Sequence, residues 1–499
     1  MALARLISRG LSGLAAFEVT VEVHIGGGLP AFTITGLPNA AVRESKDRVR
    51  AALQSCGVST PAGRITAHLG PADVPKDGGR FDLPIALGVA QASTQGSWHT
   101  SNKEFIGELA LSGELRPVTG ALPTVLAARD AKRSVILPVG NAHEAALVND
   151  AEIYAAKHLS DVIKHLNGAV RLQRVPAMRP AEVRATGPDL NDVRGHLAAK
   201  RALSIAAAGG HNMLMIGPPG SGKSMLAERL RGLLPPLKWE DILCVASIGS
   251  VAGDRTTLLN GMAAPYRAPH HTISAQALVG GGTRPRPGEI SLAHRGVLFL
   301  DELPEFSRTA LEALREPMES GVVRISRVRE QISFPAEFQL IAAMNPCPCG
   351  YLGDGTDRCH CSLTRLQRYR GRISGPLLDR FDLHVEIPQV SFAELTSTSG
   401  SPESSELSQR IAAARSRQLN RNGHLNARLD DSSLWQVLAI DQAAQTLLKR
   451  AVRKWQLSAR STVRILRTAR TIADLAEHKD VAAAQVAEAL QLRCLDRAI

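Results

Sequence analysis

The sequence predicts an α/β protein whose C-terminal part is helical, and three observations support this. Only 4% of the 499 residues are aromatic while 44% are hydrophobic, a balance typical of mixed folds rich in Ala and Leu. An apolar strand pattern at Met213–Ile216 runs into a glycine-rich loop and then a helical pattern. From residue 406 to 499 the pattern is helical throughout. A chain of this length is expected to form two or three domains.

Two segments with linker composition divide the chain. Residues 172–188 contain three prolines and a glycine among polar residues, and residues 397–405 are rich in serine. We therefore predict one domain at 1–171, a P-loop α/β core at 189–396 and a helical domain at 406–499. In the first domain, residues 17–23 alternate apolar and polar side chains as a half-buried strand does, and 40–56 form an amphipathic helical pattern.

The chain is strongly basic, with a net charge of +12 and a pI near 9.7. Such a balance favours a polyanionic partner, although composition alone is equally compatible with ordinary surface charge. The distribution points to the partner, because no acidic residue lies between Gln442 and Ala473 while many basic ones do. Residues 1–13 lack the features of a signal peptide, and no apolar run reaches the ~20 residues that span a bilayer. We expect a cytoplasmic protein.

A nucleotide-binding motif follows the strand pattern at Met213–Ile216. Its glycines let backbone N–H groups surround phosphate oxygens at the start of a helix. A lysine in this loop supplies positive charge to the β- and γ-phosphates of ATP, and the following serine hydroxyl is a ligand of Mg²⁺. The loop has the full spacing for this chemistry in the required strand–loop–helix context. Its residues are Gly217, Pro218, Pro219, Gly220, Ser221, Gly222, Lys223 and Ser224.

Two further buried-strand patterns end in polar residues. Residues 296–300 lead into Asp301 and Glu302, where Asp301 is predicted to hold Mg²⁺ and Glu302 to deprotonate the attacking water. A carboxylate that caps the next helix is the alternative interpretation. Residues 338–343 lead to Asn345, whose amide can hydrogen-bond the γ-phosphate or that water.

Further distinctive segments accompany these motifs, at 269–272, 280–282, 286–294, 296–306, 345–350 and 374–382. Together they resemble the magnesium-chelatase-like AAA+ family, and within it the YifB/ComM branch of bacterial proteins linked to natural transformation. The resemblance covers nearly the whole chain. One departure is His196, which stands where the family commonly has glutamine.

The resemblance implies a function and further site residues. Members of the branch act as hexameric helicases that promote branch migration of DNA junctions while incoming DNA is integrated by homologous recombination. Arg380 resembles an arginine finger that acts on the neighbouring subunit's γ-phosphate, with a salt-bridging role as the alternative. Arg460 resembles the second sensor, and Arg464 is the second choice.

The first domain resembles the proteolytic domain of Lon, a ribosomal S5 domain 2-like α+β fold, at 75–78, 107–113 and 135–138. Lon-type peptidases use a serine activated by a lysine. In this chain the serine-equivalent place is near Arg80 and the lysine-equivalent place is at Leu122 or Pro123. We therefore predict a non-catalytic scaffold.

Four of the seven cysteines lie within residues 347–361, as two Cys-x-Cys pairs. Four thiolates can form a tetrahedral zinc shell that stabilises a loop too short to have its own core. His360 could replace one thiolate, and reduced cysteines without metal are the alternative. The predicted zinc ligands are Cys347, Cys349, Cys359 and Cys361.

A basic hairpin is predicted at 322–334. It lies where this AAA+ clade has the hairpin before the first sensor, so Arg324, Arg327 and Arg329 are candidates to follow DNA phosphates in the pore of a ring. An ordinary surface hairpin with charged edges is the alternative. Few aromatic residues accompany the basic ones, which favours duplex or junction backbone over stacked single strands.

Two function classes remain after this comparison. The first is a ring ATPase that drives branch migration of DNA, and the second is a chelatase-type AAA+ subunit that remodels a partner protein. The nucleotide motifs fit both classes. The Lon-like first domain and the basic pI favour DNA.

Overall fold

The computed structural model describes residues 2–94, 98, 100–178, 189–254, 263–282, 285–326, 331–390, 394 and 404–496. The chain forms two compact units. The first consists of Met1–Ala181 with Trp239–Gly261, and the second of Glu182–Lys238 with Met262–Ile499. None of the helices in the described ranges combines the length and the apolar character that crossing a membrane requires.

The first unit is built on a seven-stranded mixed sheet with the order β3-β4-β2-β1-β5-β8-β9. A short ribbon, β6–β7, stands beside it. The strands are β1 Ala2–Ser12, β2 Ala15–Gly26, β3 Ala31–Thr35, β4 Arg64–Gly70, β5 Lys103–Phe105, β6 Glu108–Leu109, β7 Leu115–Arg116, β8 Ser134–Pro138 and β9 Ile153–Ala156. The helices of this unit are Ala40–Ser55, Asp82–Thr94, Ala121–Asp130, Ala142–Ala145, Leu159–Leu166 and Trp239–Ala252.

The long hairpin β1–β2 pairs in antiparallel register from Ala2↔Ile25 to Ser12↔Ala15. Val19, Val21 and Val23 are buried on one face of β2, which confirms the strand predicted from the alternation at 17–23. The helix Ala40–Ser55 covers this unit's core with an amphipathic face, and the Asn39 side chain caps it by accepting a hydrogen bond from Val42 N at 2.9 Å.

The helix Trp239–Ala252 lies within the range 189–396 predicted as one core, yet it belongs to the first unit. Ala246 is buried in the core around the helix Ala121–Asp130. The carbonyl of Ser250 accepts a hydrogen bond from Gly120 N at 2.9 Å, and its hydroxyl accepts one from Leu122 N at 3.3 Å. The sequence prediction missed this because an apolar helical pattern does not indicate which core it joins.

We expect Ala246→Asp to loosen this inserted helix, because an unpaired carboxylate would be buried among apolar side chains. The local free energy of unfolding should fall by on the order of 2–5 kcal/mol. Amide hydrogen exchange in Ala121–Asp130 measures it. Glu240→Ala, which changes an exposed residue of the same helix, is the control and should leave the exchange unaltered.

The second unit is built on a five-stranded sheet with the order β11-β14-β17-β10-β18, and every neighbouring pair is parallel. Two-stranded ribbons β12–β13 and β15–β16 lie beside it. Strands β10 and β17 are buried along their whole length, as expected for a parallel sheet covered on both faces. The strands are β10 Met213–Ile216, β11 Tyr266–Arg267, β12 Gly280–Gly281, β13 Arg286–Pro287, β14 Val297–Leu300, β15 Val322–Ser326, β16 Gln331–Pro335, β17 Gln339–Met344 and β18 Leu383–Glu386.

The C-terminal helices share one hydrophobic core with this sheet and with the helix Leu197–Gly209. The region predicted as a separate domain at 406–499 is therefore part of the second unit. The helices of this unit are Leu197–Gly209, Lys223–Leu233, Ala275–Val279, Glu289–Leu292, Arg308–Ala313, Arg315–Ser320, Leu363–Arg370, Gly375–Leu378, Ser404–Asn422, Asp431–Val437, Gln442–Trp455, Ala459–Leu475 and Ala483–Gln491.

Candidate nucleotide site

The glycine-rich loop joins β10 to the helix Lys223–Leu233, as the sequence predicts. Gly220 and Gly222 have φ angles of +74° and +80°, a region that residues with a Cβ rarely adopt. At Gly217 a Cβ would collide with the carbonyl oxygen of Ile387. The three glycines are thus required by the backbone of this loop, and loops of this kind offer N–H groups to phosphate oxygens.

Lys223 is almost fully buried beneath this loop. Its Nζ donates to the carbonyl oxygens of Gly217 at 2.8 Å and Pro218 at 2.9 Å. It also lies 3.3 Å from Oδ1 of Asn345. Burial lowers the pKa of Lys223 from its ordinary value, while the nearby carboxylates of Asp301 and Glu302 oppose that change. The ammonium group is held at the loop by neutral carbonyl oxygens.

The acidic pair lies at the same edge of the sheet. Asp301 follows β14, and its Oδ2 accepts a hydrogen bond from the Ser224 hydroxyl at 2.6 Å. Hydroxyl and carboxylate oxygens are the ligands that Mg²⁺ prefers, together with phosphate oxygens and water. The donor set therefore fits a magnesium ion bound next to the phosphates.

Glu302 has a φ angle of +51°, and its carboxylate faces His271. The distance from Glu302 Oε2 to His271 Nδ1 is 3.2 Å. The ring of His271 also stacks on His270, with centroids 4.1 Å apart, and lies edge-on to Phe306. No local sequence pattern predicts that His271 belongs to this site, because it lies far from Glu302 along the chain.

His196 lies beside the loop. Its Nε2 would be 3.7 Å from a Cβ at Gly222, and its own backbone has a φ angle of +52°. Burial lowers the pKa of His196, so that the ring is neutral at physiological pH. This residue therefore presents an uncharged ring next to the glycine-rich loop.

Arg380, the predicted arginine finger, and Arg460, the predicted second sensor, both contact the carboxylate of Glu319. Arg380 is buried and forms an ion pair with Glu319, Nη2 to Oε1 at 2.7 Å. Its guanidinium also donates to the carbonyl oxygens of Pro376 and Arg315. Arg460, which is half exposed, reaches the same Oε1 of Glu319 at 3.7 Å. Glu319 could not be predicted from the sequence, since a lone acid in a helix carries no distinguishing pattern.

Arg464, the second choice for the sensor, has a structural partner. Its Nη1 lies 2.6 Å from Oδ1 of the buried Asp382. Asp382 also accepts a hydrogen bond from Asn212 N at 3.0 Å and lies 3.4 Å from His211. Burial alone would raise the pKa of Asp382, but the charge of Arg464 and the other hydrogen bonds outweigh it and hold the pKa well below its usual range.

We expect Asp382→Asn to destabilise the second unit by about 3–5 kcal/mol, because Arg464 would remain buried without its counter-charge. A carboxylate with a lowered folded-state pKa stabilises above its unfolded pKa of ~3.9, and this contribution is lost as pH falls below that value. Urea unfolding at pH 7, 5 and 3.5 should show the difference between variant and parent narrowing in the most acidic sample. Asp431→Asn, at the exposed partner of Arg467, is the control and should change stability little.

The four cysteines come together as predicted. Their sulfur atoms all lie within 4.8 Å of one another, with 3.3 Å from Cys347 to Cys349 and 3.7 Å from Cys347 to Cys359. Thiolates bound to one zinc ion at ~2.3 Å lie ~3.8 Å apart in a tetrahedron, so the cluster fits such an ion. A hydrogen bond from the Tyr351 backbone and contacts with the other thiols lower the pKa of Cys349 to about 7. Among described residues, the group consists of Cys347, Cys349, Cys359 and Cys361, without His360.

The predicted basic hairpin has its two strands, β15 and β16, paired from Val322↔Pro335 to Ser326↔Gln331. Arg324 is half exposed and forms an ion pair with Glu316 at 3.0 Å. Arg327 and Arg329 lie outside the described residues.

In the first unit, the places where a Lon-type peptidase would have its serine and lysine hold residues with structural roles. The buried guanidinium of Arg80 donates to the carbonyl of Thr119, and burial lowers its pKa to about 10. Leu122 is buried in the core.

The parallel strand order and the residues gathered at its edge define a P-loop ATPase of the AAA+ class. Family models describe the matching parts: residues 21–141 match "Subunit ChlI of Mg-chelatase", 189–395 match "Magnesium chelatase, subunit ChlI", and 401–493 match its C-terminal part. The chain belongs to the magnesium-chelatase-like family, in the YifB/ComM branch.

Full-length relatives support this assignment. The chain is 46% identical to Competence protein ComM of Haemophilus influenzae, over 100% of this chain and 98% of that protein. It is equally similar, 46% over the same shares, to the uncharacterized protein YifB of Escherichia coli. The magnesium-chelatase 67 kDa subunit of Heliobacterium mobile is 27% identical over 40% of this chain and 34% of its own length. The family implies an enzyme of the ATPase type.

Proposed function

We propose that this protein is an ATP-driven ring motor that promotes branch migration of DNA junctions when transforming DNA is integrated. The observation that carries the proposal is the convergence of Lys223, Asp301, Glu302 and Asn345 at one sheet edge, in a chain similar over its full length to a protein named for competence.

The site residues have distinct roles in this proposal. The loop N–H groups and Lys223 bind the β- and γ-phosphates, and Lys223 exchanges its carbonyl partners for phosphate oxygens. Ser224 and Asp301 hold Mg²⁺. Glu302 accepts the proton of the water that attacks the γ-phosphorus, and Asn345 orients that water or the γ-phosphate.

The proposal of a DNA motor rests on the basic charge of the chain and on the roles proposed for Arg380 and Arg460. A net charge of +12 supports binding to a polyanion, and Arg324 on the ribbon β15–β16 is one candidate contact, with Arg327 and Arg329. Arg380 acts on the nucleotide of a neighbouring subunit in a hexamer, and Arg460 acts as second sensor. Both must leave Glu319 to do so.

We also propose that the four cysteines bind zinc. The sulfur atoms of all four lie within 4.8 Å of one another, which is close enough for them to share one ion.

The alternative function is a chelatase-type subunit that uses ATP to remodel a partner protein. The names of the matching family models favour it. The extent of the alignments favours the DNA motor. The magnesium-chelatase subunits of Heliobacterium mobile and Glycine max align with only 40% and 37% of this chain.

The first test measures branch migration of a synthetic four-way junction with homologous arms. We expect Glu302→Gln to retain ATP binding but to lose hydrolysis and junction movement by on the order of 10²–10⁴-fold, because the general base is gone. Lys223→Ala should lose nucleotide binding as well. Glu305→Gln, an exposed acid three positions away, is the matched control. ATP hydrolysis with no junction movement and no stimulation by DNA would replace the motor with the protein-remodelling alternative.

The second test asks whether Arg380 acts in trans. Lys223→Ala subunits cannot bind nucleotide but keep Arg380, whereas Arg380→Ala subunits keep the phosphate loop. If the arginine serves the neighbouring site, mixing the two inactive variants restores part of the ATPase activity. No recovery in a mixture shown to co-assemble contradicts the trans role and leaves the ion pair with Glu319 as a structural one.

A further inference from the structure

We infer that a thiophilic divalent metal ion in the four-cysteine cluster braces the phosphate loop and thereby sets the affinity for nucleotide. The inference rests on the zinc site proposed above and goes beyond it, because it gives the cluster a regulatory action on the ATP site.

The first support is a direct contact between the cysteine loop and the phosphate loop. Gly350 follows Cys349 and has a φ angle of +87°. A Cβ at Gly350 would lie 2.6 Å from Cδ and 2.7 Å from Cγ of Pro219, which is closer than real Cβ contacts. The backbone of the cysteine loop therefore packs directly on a residue of the loop that encloses the phosphates.

The second support is what holds Gly350 there. Its N–H donates to the carbonyl oxygen of Cys347 at 3.0 Å, so the turn from Cys347 to Gly350 is a single local unit. Cys347 is fully buried, and it stands two residues after Asn345. A metal ion that fixes the sulfur atoms of Cys347 and Cys349 fixes this turn, whereas thiols interact with one another only weakly.

The third support lies at the other end of the cysteine loop. Cys361 is followed by the helix Leu363–Arg370, whose N-terminus is capped by Ser362. Tyr369 of this helix is buried in the core of the second unit. Burial raises the pKa of its hydroxyl, and an interaction with the backbone of Asn345 opposes that change. Both ends of the loop thus lead back to Asn345, whose side chain contacts Lys223 Nζ at 3.3 Å.

These contacts link the metal site to the nucleotide site. With the metal bound, Gly350 keeps Pro219 in place and Asn345 keeps its position beside Lys223. When the metal is lost, the loop 347–361 has no core of its own to hold this turn. The phosphate loop then loses the contact between Pro219 and Gly350. Nucleotide affinity then falls, because binding must first order the loop.

The experiment combines metal content with equilibrium binding of a fluorescent ATP analogue, on the full-length protein. We compare the parent, Cys359→Ser, Gly350→Ala and the control Cys56→Ser, a thiol of the first unit. Cys359→Ser should lose the metal and raise Kd by at least about tenfold. Gly350→Ala should keep the metal and raise Kd as well, because its Cβ displaces Pro219. Cys56→Ser should change neither quantity.

The outcomes separate the two proposals. A parent that contains no metal and takes up no Zn²⁺ refutes the zinc site and the inference with it. A parent that binds Zn²⁺ while Cys359→Ser and Gly350→Ala keep the parental Kd overturns the inference alone. If Cys359→Ser does not fold, the parent is stripped with a chelator and reloaded with Zn²⁺. A Kd that rises and returns supports the brace, and a constant Kd overturns it.

Discussion

The parallel arrangement of β14, β17 and β10 is the constraint on which the nucleotide site depends. Parallel strands end at the same edge of a sheet, so Asp301 after β14 and Asn345 after β17 come to the phosphate loop after β10. These residues are far apart along the chain. The burial of both sheet faces fixes the strands, and this holds the Ser224 hydroxyl beside the Asp301 carboxylate and the Lys223 ammonium group beside Asn345.

Three charged groups of the proposed mechanism are held by partners within the chain. Lys223 binds carbonyl oxygens of its own loop, Glu302 faces His271, and Arg380 is paired with Glu319. A group that must contact phosphate or water during a catalytic cycle has to leave such a partner first. Nucleotide, DNA or a neighbouring subunit can therefore act on the site by shifting the equilibrium between the two arrangements.

Two segments within the range 189–396 depend on groups other than a hydrophobic core of their own. The helix Trp239–Ala252 leaves the sequence of the core and completes the hydrophobic interior of the first unit. The cysteine loop places Gly350 on Pro219 and leads into Tyr369 beside Asn345. The helix is stabilised by the apolar interior that it joins. The cysteine loop depends, in our proposal, on a metal ion shared by its four sulfur atoms.

The sequence by itself determined the α/β class, the phosphate loop, the acidic pair after β14 and the grouping of the cysteines, because these depend on local spacing and on short-range periodicity. Only the tertiary structure decided that the helix Trp239–Ala252 joins the first unit and that the C-terminal helices share the core of the sheet. It also decided that Glu319 pairs with Arg380 and that His271 faces Glu302. Contacts between residues distant in sequence depend on how complete elements pack, and no local pattern encodes that packing.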